Sequence, residues 1–239
     1  MVNSNDKLEN MDPLYDAKIQ CILCEEVFTS KKVRSRFIKP HRVDSDFGQI
    51  FDMNKPNPLF YYVTVCPRCG FTFSDDFGKS MPQVFRDRTQ EKMADKMDRS
   101  INYCEPRDHN LAVRTFKLAI YFAQLINEKH FVLARLCHRL AWIYRGMGNM
   151  EEEMRFLNLA CEEYEKSYIY TDFNPEVMPE ILILYCIGEL DRRLGKYNEA
   201  LKYFSTVCDH PDRSRYVKYV NMARRQWAEA VENYREQNK

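Results

Sequence analysis

Two cysteine pairs with the same spacing constrain this chain more than any other feature of its sequence. Cys21 and Cys24 form one C-x2-C pair, Cys66 and Cys69 form another, and 41 residues separate them. A C-x2-C pair on a tight turn lets both sulfur atoms reach one ion at about 2.3 Å, and two such turns complete the tetrahedron that zinc accepts. The sequence therefore predicts a metal site with four cysteine ligands.

The identity and role of the ion follow from the ligand type. Four thiolates suit zinc or a rubredoxin-like iron, and we favour zinc because it needs no redox partner. With four protein ligands no coordination position is left for water, so the predicted role is structural and not catalytic. The alternative is that the pairs are unrelated buried thiols, or that Cys66 and Cys69 form a redox dithiol.

The two turns differ in the residue that follows the second cysteine. Gly70 fills this position in "CPRCGF", where the backbone curls back and glycine takes positive φ without steric cost. Glu25 occupies it in "CILCEEVF", so the first knuckle is the weaker signal. Few aliphatic side chains and two strand candidates, residues 28–33 and 61–65, surround the pairs, so the ion has to supply stability. We predict a zinc-ribbon-like module over residues 1–79, with a long insert between its knuckles.

A basic run lies inside the insert and carries no acidic side chain. It supports an alternative function, a ribbon that binds nucleic acid through phosphate contacts and stacks a base on Phe37 or His41. Three aspartates follow within ten residues of the run, so the cations can instead balance local acids and the tetrathiolate centre. The six basic residues are Lys31, Lys32, Arg34, Arg36, Lys39 and Arg42.

Helical periodicity begins after the module. Phe85, Met93, Met97 and Ile101 recur at multiples of four residues, which predicts a connecting helix and linker over residues 80–107.

Helical repeats are predicted for the remainder, residues 108–239. Three stretches share small or apolar residues at i, i+4 and i+7, and two of them follow helices that close on Gly148 and Gly195. Residues 184–211 resemble the tetratricopeptide pattern, in which a small residue of the first helix lets the second helix approach. A C-terminal helix carrying Trp227 is expected to cover the last repeat. The shared positions are Ala112, Phe116 and Ala119, then Glu153, Leu157 and Ala160, of which Glu153 departs from the pattern, and then Ala200, Phe204 and Val207.

A partner-binding surface follows from the tetratricopeptide resemblance. The first helix of each pair would line an inner groove, and its exposed residues form a basic row with two aromatics. Such a row suits an acidic or extended peptide held by arginine forks and a tryptophan anchor. The alternative is that these are ordinary solvated side chains. The row consists of Arg135, His138, Trp142, Arg145, Tyr185, Glu189, Arg192 and Arg193.

Composition limits the classes of partner and compartment. The formal net charge is +1, so no global basic field drives binding to nucleic acid or membranes. The longest apolar runs fall short of the roughly 20 residues that span a bilayer, and the polar N-terminus lacks a secretory signal. Nine cysteines, an odd number in a long chain, fit reduced thiols and a metal. We expect a cytoplasmic protein without a membrane partner.

The order of the motifs resembles one bacterial family. "NPLFYYVTVCPRCGF", the "DSDF" of Asp44–Phe47 and "IGELDRRLGKYNEALKYFSTV" carry the resemblance, which extends over nearly the full length. The chain is similar to the bacterial domain-of-unknown-function family 2225. This resemblance implies a cytoplasmic bacterial protein with cysteine knuckles ahead of helical repeats, and it implies no activity.

The leading functional hypothesis is a non-enzymatic adaptor or scaffold that binds a protein or peptide partner. The expected fold is mainly α, with a small zinc-ribbon-like N-terminal module, built on four cysteines, followed by a tetratricopeptide-like helical-repeat domain. The sequence contains no phosphate-binding glycine loop, no H-E-x-x-H and no G-x-S-x-G, and no catalytic residue is predicted. Nucleic-acid binding by the basic run and thiol-redox chemistry at the C-x2-C pairs remain the alternatives.

Overall fold

A computed structural model describes residues 11–52, 55–79, 81–84, 86, 87, 89, 98 and 100–237, and the described part is mainly helical. The chain forms two compact units. The first comprises Met1–Arg42 and Gln49–Ile126, and the second comprises Val43–Gly48 and Asn127–Lys239. A six-residue piece of the insert between the knuckles therefore belongs to the helical unit. The boundaries predicted after residues 79 and 107 stay predictions, and both lie within the first unit.

Short antiparallel hairpins carry the cysteines of the first unit. Strands β1 (Leu14–Gln20) and β2 (Val27–Val33) pair in register from Leu14 opposite Val33 to Gln20 opposite Val27. Strands β3 (Arg42–Val43) and β4 (Gln49–Ile50) form a second pair. The third pair consists of β5 (Thr64–Val65) and β6 (Thr72–Phe73).

The two strand candidates of the sequence have different outcomes. Residues 28–33 lie within β2. Of residues 61–65 only the last two are strand, because Pro58–Tyr61 forms a 3₁₀ turn. Proline at the start of this turn presets its backbone, and the Asn57 side chain accepts a hydrogen bond from the Leu59 amide at 3.0 Å.

Helix α1 (His109–Leu125) completes the first unit. Asp108 caps its N-terminus by accepting a hydrogen bond from the Leu111 amide at 2.7 Å. Phe116 stacks against Tyr62, and Phe122 packs on Phe71 with ring centroids 5.2 Å apart. The apolar face of α1 therefore covers the residues around the second cysteine pair.

Much of the predicted connecting helix lies outside the residues that the structure describes. Phe85, Met93 and Met97 lie outside the described residues.

A buried arginine just before α1 forms hydrogen bonds with backbone carbonyls from two separate parts of the chain. The guanidinium of Arg107 donates to the carbonyl oxygens of Phe60, Val63 and Tyr103 at 2.7 to 3.1 Å. Burial lowers the pKa of Arg107 to about 10. Because these carbonyls come from two separated stretches of chain, the side chain joins the second knuckle to the start of α1.

Five helices form the second unit, each packed against the next along the chain. They are α2 (His130–Gly146), α3 (Met150–Tyr170), α4 (Glu180–Arg193), α5 (Tyr197–Asp209) and α6 (Val217–Gln237). Within the part of the chain that is described, every helix is too short or too polar to cross a lipid bilayer.

Helices α2 and α4 end at glycines, as the sequence predicts. Gly148 and Gly195 adopt φ of 71° and 77°, the left-handed region that glycine enters without a steric penalty. At the second of these ends, the Gly195 amide donates to Arg192 and the Lys196 amide donates to Asp191. These two bonds form a Schellman motif, which satisfies carbonyls that the helix end leaves open.

The repeated small and aromatic positions are buried. Gly188 of α4 faces Phe204 of α5, and a Cβ atom at position 188 would lie 3.0 Å from two carbons of that ring. The absence of a side chain therefore lets the two helices approach, as the pattern predicts. Glu153, the position that departs from it, is half-buried. In α6 the buried face consists of Val220, Ala223, Gln226 and Ala230, whereas Trp227 is only half-buried.

Candidate metal centre and peptide groove

The four predicted cysteine ligands lie together in the first unit. Cys21 Sγ is 3.6 Å from Cys69 Sγ, and Cys24 Sγ is 3.6 Å from Cys66 Sγ. All four sulfur atoms lie within 4.8 Å of one another. A tetrahedron with metal–sulfur bonds of about 2.3 Å has edges of about 3.8 Å, whereas a disulfide would need about 2.05 Å. The sulfur positions therefore fit one tetrahedral ion and not a pair of disulfides.

Both knuckles use the same backbone turn despite their different sequences. The Glu25 amide donates to the Cys21 carbonyl at 3.0 Å, and the Gly70 amide donates to the Cys66 carbonyl at 2.8 Å. Glu25 has φ of 61° and Gly70 has φ of 78°. The first knuckle therefore holds a non-glycine residue in the left-handed region, which carries a steric cost that Gly70 avoids.

Protonation of the cysteines is coupled through their close contacts. The contact with Cys66 raises the pKa of Cys21 to about 12, and the contact with Cys21 lowers the pKa of Cys66 to about 2. The contacts of Cys69 with Cys21 and Cys66 raise the pKa of Cys69. Four sulfurs this close share protons unless a cation neutralises them. A bound metal ion would displace those protons, so its affinity increases with pH.

A second candidate site lies in the helical unit, where residues Val43–Gly48, here called the acidic segment, contact α2 and α4. Asp46 is its centre and its side chain is fully buried. Arg145 donates from Nη2 to Asp46 Oδ2 at 2.6 Å and from Nη1 to Oδ1 at 3.0 Å. Trp142 Nε1 donates to the same carboxylate at 3.1 Å. A two-pronged guanidinium and an indole N–H thus fix the position of one carboxylate.

The charge state of this cluster follows from its burial. Burial alone would raise the pKa of Asp46, but His138, Arg145 and Arg193 outweigh it and hold the pKa well below 3.8. Burial lowers the pKa of His138, against the opposing effect of its contact with Asp46. Its Nε2 lies 3.6 Å from Asp46 Oδ2, which is too long for a direct hydrogen bond. The ion pairs of Asp46 are therefore those with Arg145 and Arg193.

Neighbouring residues of the acidic segment make further polar contacts. Arg145 Nη1 also donates to Asp44 at 3.0 Å. The Ser45 hydroxyl donates to Glu189 at 2.6 Å, and its carbonyl accepts from the Tyr185 hydroxyl at 2.8 Å. Arg193 donates to the Ser45 hydroxyl at 3.0 Å. Side chains of helix α4 therefore form hydrogen bonds with both the backbone and the side chain of Ser45.

An aromatic contact completes the groove. The ring of Phe47 lies edge-on to Tyr185 and Tyr219, with centroids 5.6 and 6.3 Å apart. Phe47 has φ of 66°, and its amide donates to the Asp44 carbonyl at 2.9 Å. At Gly48 a Cβ atom would lie only 2.8 Å from Arg145 Nη1. The acidic segment is thus a tight turn that needs glycine at its last position.

Six of the eight predicted groove residues contact this segment. Arg192 instead pairs with Glu189 at 2.8 Å and Glu229 at 3.4 Å, and Arg135 lies over the ring of Phe131. The row is less exposed than predicted: His138, Tyr185 and Glu189 are buried, and the other five members are half-buried. Sequence reasoning missed the segment that occupies the groove, since 99 residues of chain separate its central aspartate from the arginine of α2. The six contacting residues are His138, Trp142, Arg145, Tyr185, Glu189 and Arg193.

Three residues of the basic run have partners in the first unit. Lys31 pairs with Asp16 at 3.0 Å. Lys32 Nζ donates to the Tyr61 carbonyl, and burial lowers the pKa of this lysine. Arg34 donates to the Asp12 carbonyl at 3.0 Å. Two of the aspartates that were expected to balance the charge of this run, Asp44 and Asp46, pair with Arg145, which lies outside the run.

The other part of the basic run borders a shallow cavity of about 230 Å³. Two cations of the run, Arg36 and Lys39, line it, whereas Arg42 does not. Lys55, which also lines it, pairs with Asp52 at 3.8 Å. The remaining lining residues are Phe37, His41, Phe51 and Asp52.

A buried polar cluster that the sequence did not indicate joins α3 and α4. Cys161 Sγ donates to Asp191 Oδ1 at 3.4 Å, and the Tyr203 hydroxyl donates to Glu165 at 3.2 Å. Burial raises the pKa of Asp191 to about 6. Lys196 Nζ lies 4.0 Å from Asp191. Asp191 Oδ2 is buried and makes no hydrogen bond with the described residues, so these contacts satisfy only part of the cluster.

Most of the remaining cysteines of the helical unit lie in its core. Cys137, Cys161 and Cys186 are buried, whereas Cys208 is half-buried.

Comparisons with known proteins agree with the resemblance seen in the sequence. No curated protein and no solved structure is significantly similar to the chain. One family model, described as an uncharacterized protein conserved in bacteria, matches residues 14–230 and so spans both cysteine pairs and most of α6. The chain belongs to this bacterial family, DUF2225.

Proposed function

We propose that this protein is a non-enzymatic adaptor. A structural zinc ion stabilises its first unit, and tetratricopeptide-like helix pairs in its second unit form a groove for an acidic peptide segment of a protein partner. The observation that carries the proposal is the seating of the acidic segment on α2 and α4. The groove therefore has the chemistry to bind a peptide of this kind.

Zinc suits the first unit for reasons of geometry and ligand type. The sulfur of each cysteine lies 3.6 Å from a sulfur of the other pair, which favours shared ligation over a redox dithiol within one pair. Four sulfur ligands satisfy a tetrahedral zinc ion completely, so it would stabilise the fold without binding substrate. The two cysteine turns belong to separate hairpins, so a shared ion would cross-link them and add to the stability of the aromatic core that packs beside them.

The groove suits a peptide because it combines two kinds of anchor. Arg145 and Trp142 hold a fully buried carboxylate, and Tyr185 packs on an aromatic ring. Arginine, tryptophan and tyrosine are the residues that most often dominate binding energy at interfaces. A buried charged pair also makes recognition strict, because a peptide without the carboxylate leaves the guanidinium unpaired.

A peptide-binding measurement tests this proposal. In an opened variant, Asp44→Asn, Asp46→Asn and Phe47→Ala together remove the anchors of the chain's own segment. A labelled peptide with the sequence of residues 42–50 should then bind, as measured by fluorescence anisotropy, and the same peptide with both aspartates changed to asparagine should not.

Adding Arg145→Ala to the opened variant is the matched control. Removing one partner of a buried charged pair costs at least about 2 kcal/mol, so the affinity should fall about 30-fold or more. Equal binding of the acidic and neutral peptides, or no effect of Arg145→Ala, would refute the groove.

Nucleic-acid binding is a second candidate function, supported by the cavity beside Arg36 and Lys39. Its aromatic lining could stack a base while the cations contact phosphate. Neutralising both cations should then lower the affinity for single-stranded RNA or DNA and flatten its salt dependence. Absence of binding at about 50 mM salt would exclude this function.

A further inference from the structure

We infer that the acidic segment is a built-in competitor, and that the partner of the groove is a protein segment with the same Asp-x-Asp-aromatic-Gly turn. This inference rests on the proposed function, since it assumes that the groove binds peptides. The segment and the partner would then exclude each other. The chain would bind its partner only when its own segment leaves α2 and α4.

The acidic segment is built to leave without unfolding the helices. It spans six residues and connects β3 with β4, which have two exposed residues each. Val43 itself is 51% exposed. Asp46 and Gly48 are buried, and Asp44, Ser45 and Phe47 are half-buried. A few side chains at the tip of a short hairpin therefore supply the docking contacts, and their release breaks no helix.

The groove defines the partner by three requirements. The first is a carboxylate at the position of Asp46, because Arg145 and Trp142 both donate to it. The second is an aromatic residue in the left-handed backbone region, as Phe47 is. The third is glycine at the next position, where a Cβ atom would lie 3.1 Å from Trp142 Cδ1 as well as 2.8 Å from the guanidinium.

Charge complementarity favours an acidic partner over a neutral one. Two aspartates of the segment meet Arg145, and Arg193 lies 3.5 Å from Asp46. Glu189 also lines the groove, but its carboxylate accepts a hydrogen bond from the Ser45 hydroxyl and pairs with both Arg192 and Arg193, which offset its negative charge. A partner would therefore present two carboxylates flanking a small hydrogen-bonding residue.

The size of the competition follows from the tether. A segment held by a short connection acts at an effective concentration of about 1 mM. For a free peptide with an intrinsic Kd of about 10 µM, such a competitor raises the apparent Kd about 100-fold. The full-length protein would therefore bind a partner weakly until the segment is displaced.

The test compares the wild-type protein with the opened variant, using the peptide of residues 42–50 as the probe. Peptide affinity should be at least about 10-fold higher for the opened variant. Asp52→Asn serves as the matched control, because it removes a carboxylate from an exposed pair of the same insert, and it should behave as wild type. Far-UV circular dichroism and zinc content check that each variant is folded.

A second variant and a second peptide keep the test decisive. Phe47→Ala alone should give an intermediate gain in affinity, and a peptide carrying Gly48→Ala should bind the opened variant more weakly than the parent peptide. Equal affinity of the wild type and the opened variant would overturn the competitor while leaving the groove intact. Failure of both proteins to bind the peptide would overturn the proposed function itself.

Discussion

The first knuckle offers the sharpest test of how the sequence supports the metal site. Glu25 and Gly70 occupy equivalent positions with φ of 61° and 78°, but only one of them is glycine. A non-glycine residue in the left-handed region costs about 1 to 2 kcal/mol. Replacing Glu25 by glycine removes this cost and adds about 0.5 to 1 kcal/mol of chain entropy to the unfolded state. We expect Glu25→Gly to stabilise the first unit by about 0.5 to 1 kcal/mol.

The side chain of Glu25 contributes little to this balance. Its carboxylate is 3.5 Å from Arg86 Nη1 and largely exposed, and exposed pairs of this kind contribute about 0 to 1 kcal/mol. Glu25→Ala is the matched control, since it removes the carboxylate but keeps the left-handed strain. The difference between the glycine and alanine variants isolates the backbone contribution. Gly70→Ala should destabilise by about 1 to 2 kcal/mol.

Zinc affinity and unfolding together provide the assay. Because folding of the knuckles and ion binding are coupled, a less strained turn should retain zinc at higher concentrations of a competing chelator. Urea unfolding of the zinc-bound proteins should give the same order, with Glu25→Gly above wild type and Gly70→Ala below it. Equal stability of the glycine and alanine variants at position 25 would refute the argument from backbone strain.

Three further predictions concern the ion and two buried carboxylates. Elemental analysis should find one zinc per chain, and Cys66→Ser should lose it together with the cooperative unfolding of the first unit; iron in place of zinc would contradict the assignment. Asp46→Asn should destabilise the helical unit by about 3 kcal/mol at pH 7, against less than about 1 kcal/mol for Asp52→Asn. Since the folded-state pKa of Asp46 lies below its unfolded value of 3.8, this difference should persist above about pH 4 and shrink as the pH falls further. For Asp191 the pH dependence of stability has the opposite sign, because burial raises its pKa to about 6. As the pH rises from about 4 to 7, the wild type should lose about 1 to 3 kcal/mol of stability relative to Asp191→Asn, as measured by urea titrations. A pH-independent difference would show that Asp191 remains ionised throughout.

Several features of the fold could be predicted because they depend on local chemistry. The two cysteine turns could be predicted from spacing, since a C-x2-C turn places its two sulfur atoms on the same side of the chain. The ends of α2 and α4 were readable from Gly148 and Gly195, because few other residues tolerate the left-handed region. The contact between Gly188 and Phe204 followed from the repeat pattern. Each of these predictions depends on residues that are close together in the sequence.

Other features could not be predicted because they arise between distant residues. Glu25 adopts a positive φ in the turn that brings Cys21 and Cys24 beside the second cysteine pair, against the local preference of glutamate. Asp191 has a raised pKa because it is buried in the folded unit, where Glu165 of another helix adds to the effect. Both cases are tertiary overrides of a local preference, and no periodicity in the sequence marks them.

The acidic segment shows most clearly which features the sequence predicts and which only the folded chain reveals. Its ingredients are visible in the amino-acid sequence: a run of aspartates ending in phenylalanine and glycine, and a row of arginine, tryptophan and tyrosine side chains at helical spacing. Their meeting is visible only in the folded chain, with Asp46 against Arg145 across 99 residues. Local pattern fixes which helix face a side chain occupies, but charge pairing over such a separation depends on how the whole chain folds back. The groove and its occupant are therefore encoded in two places and joined only in the folded protein.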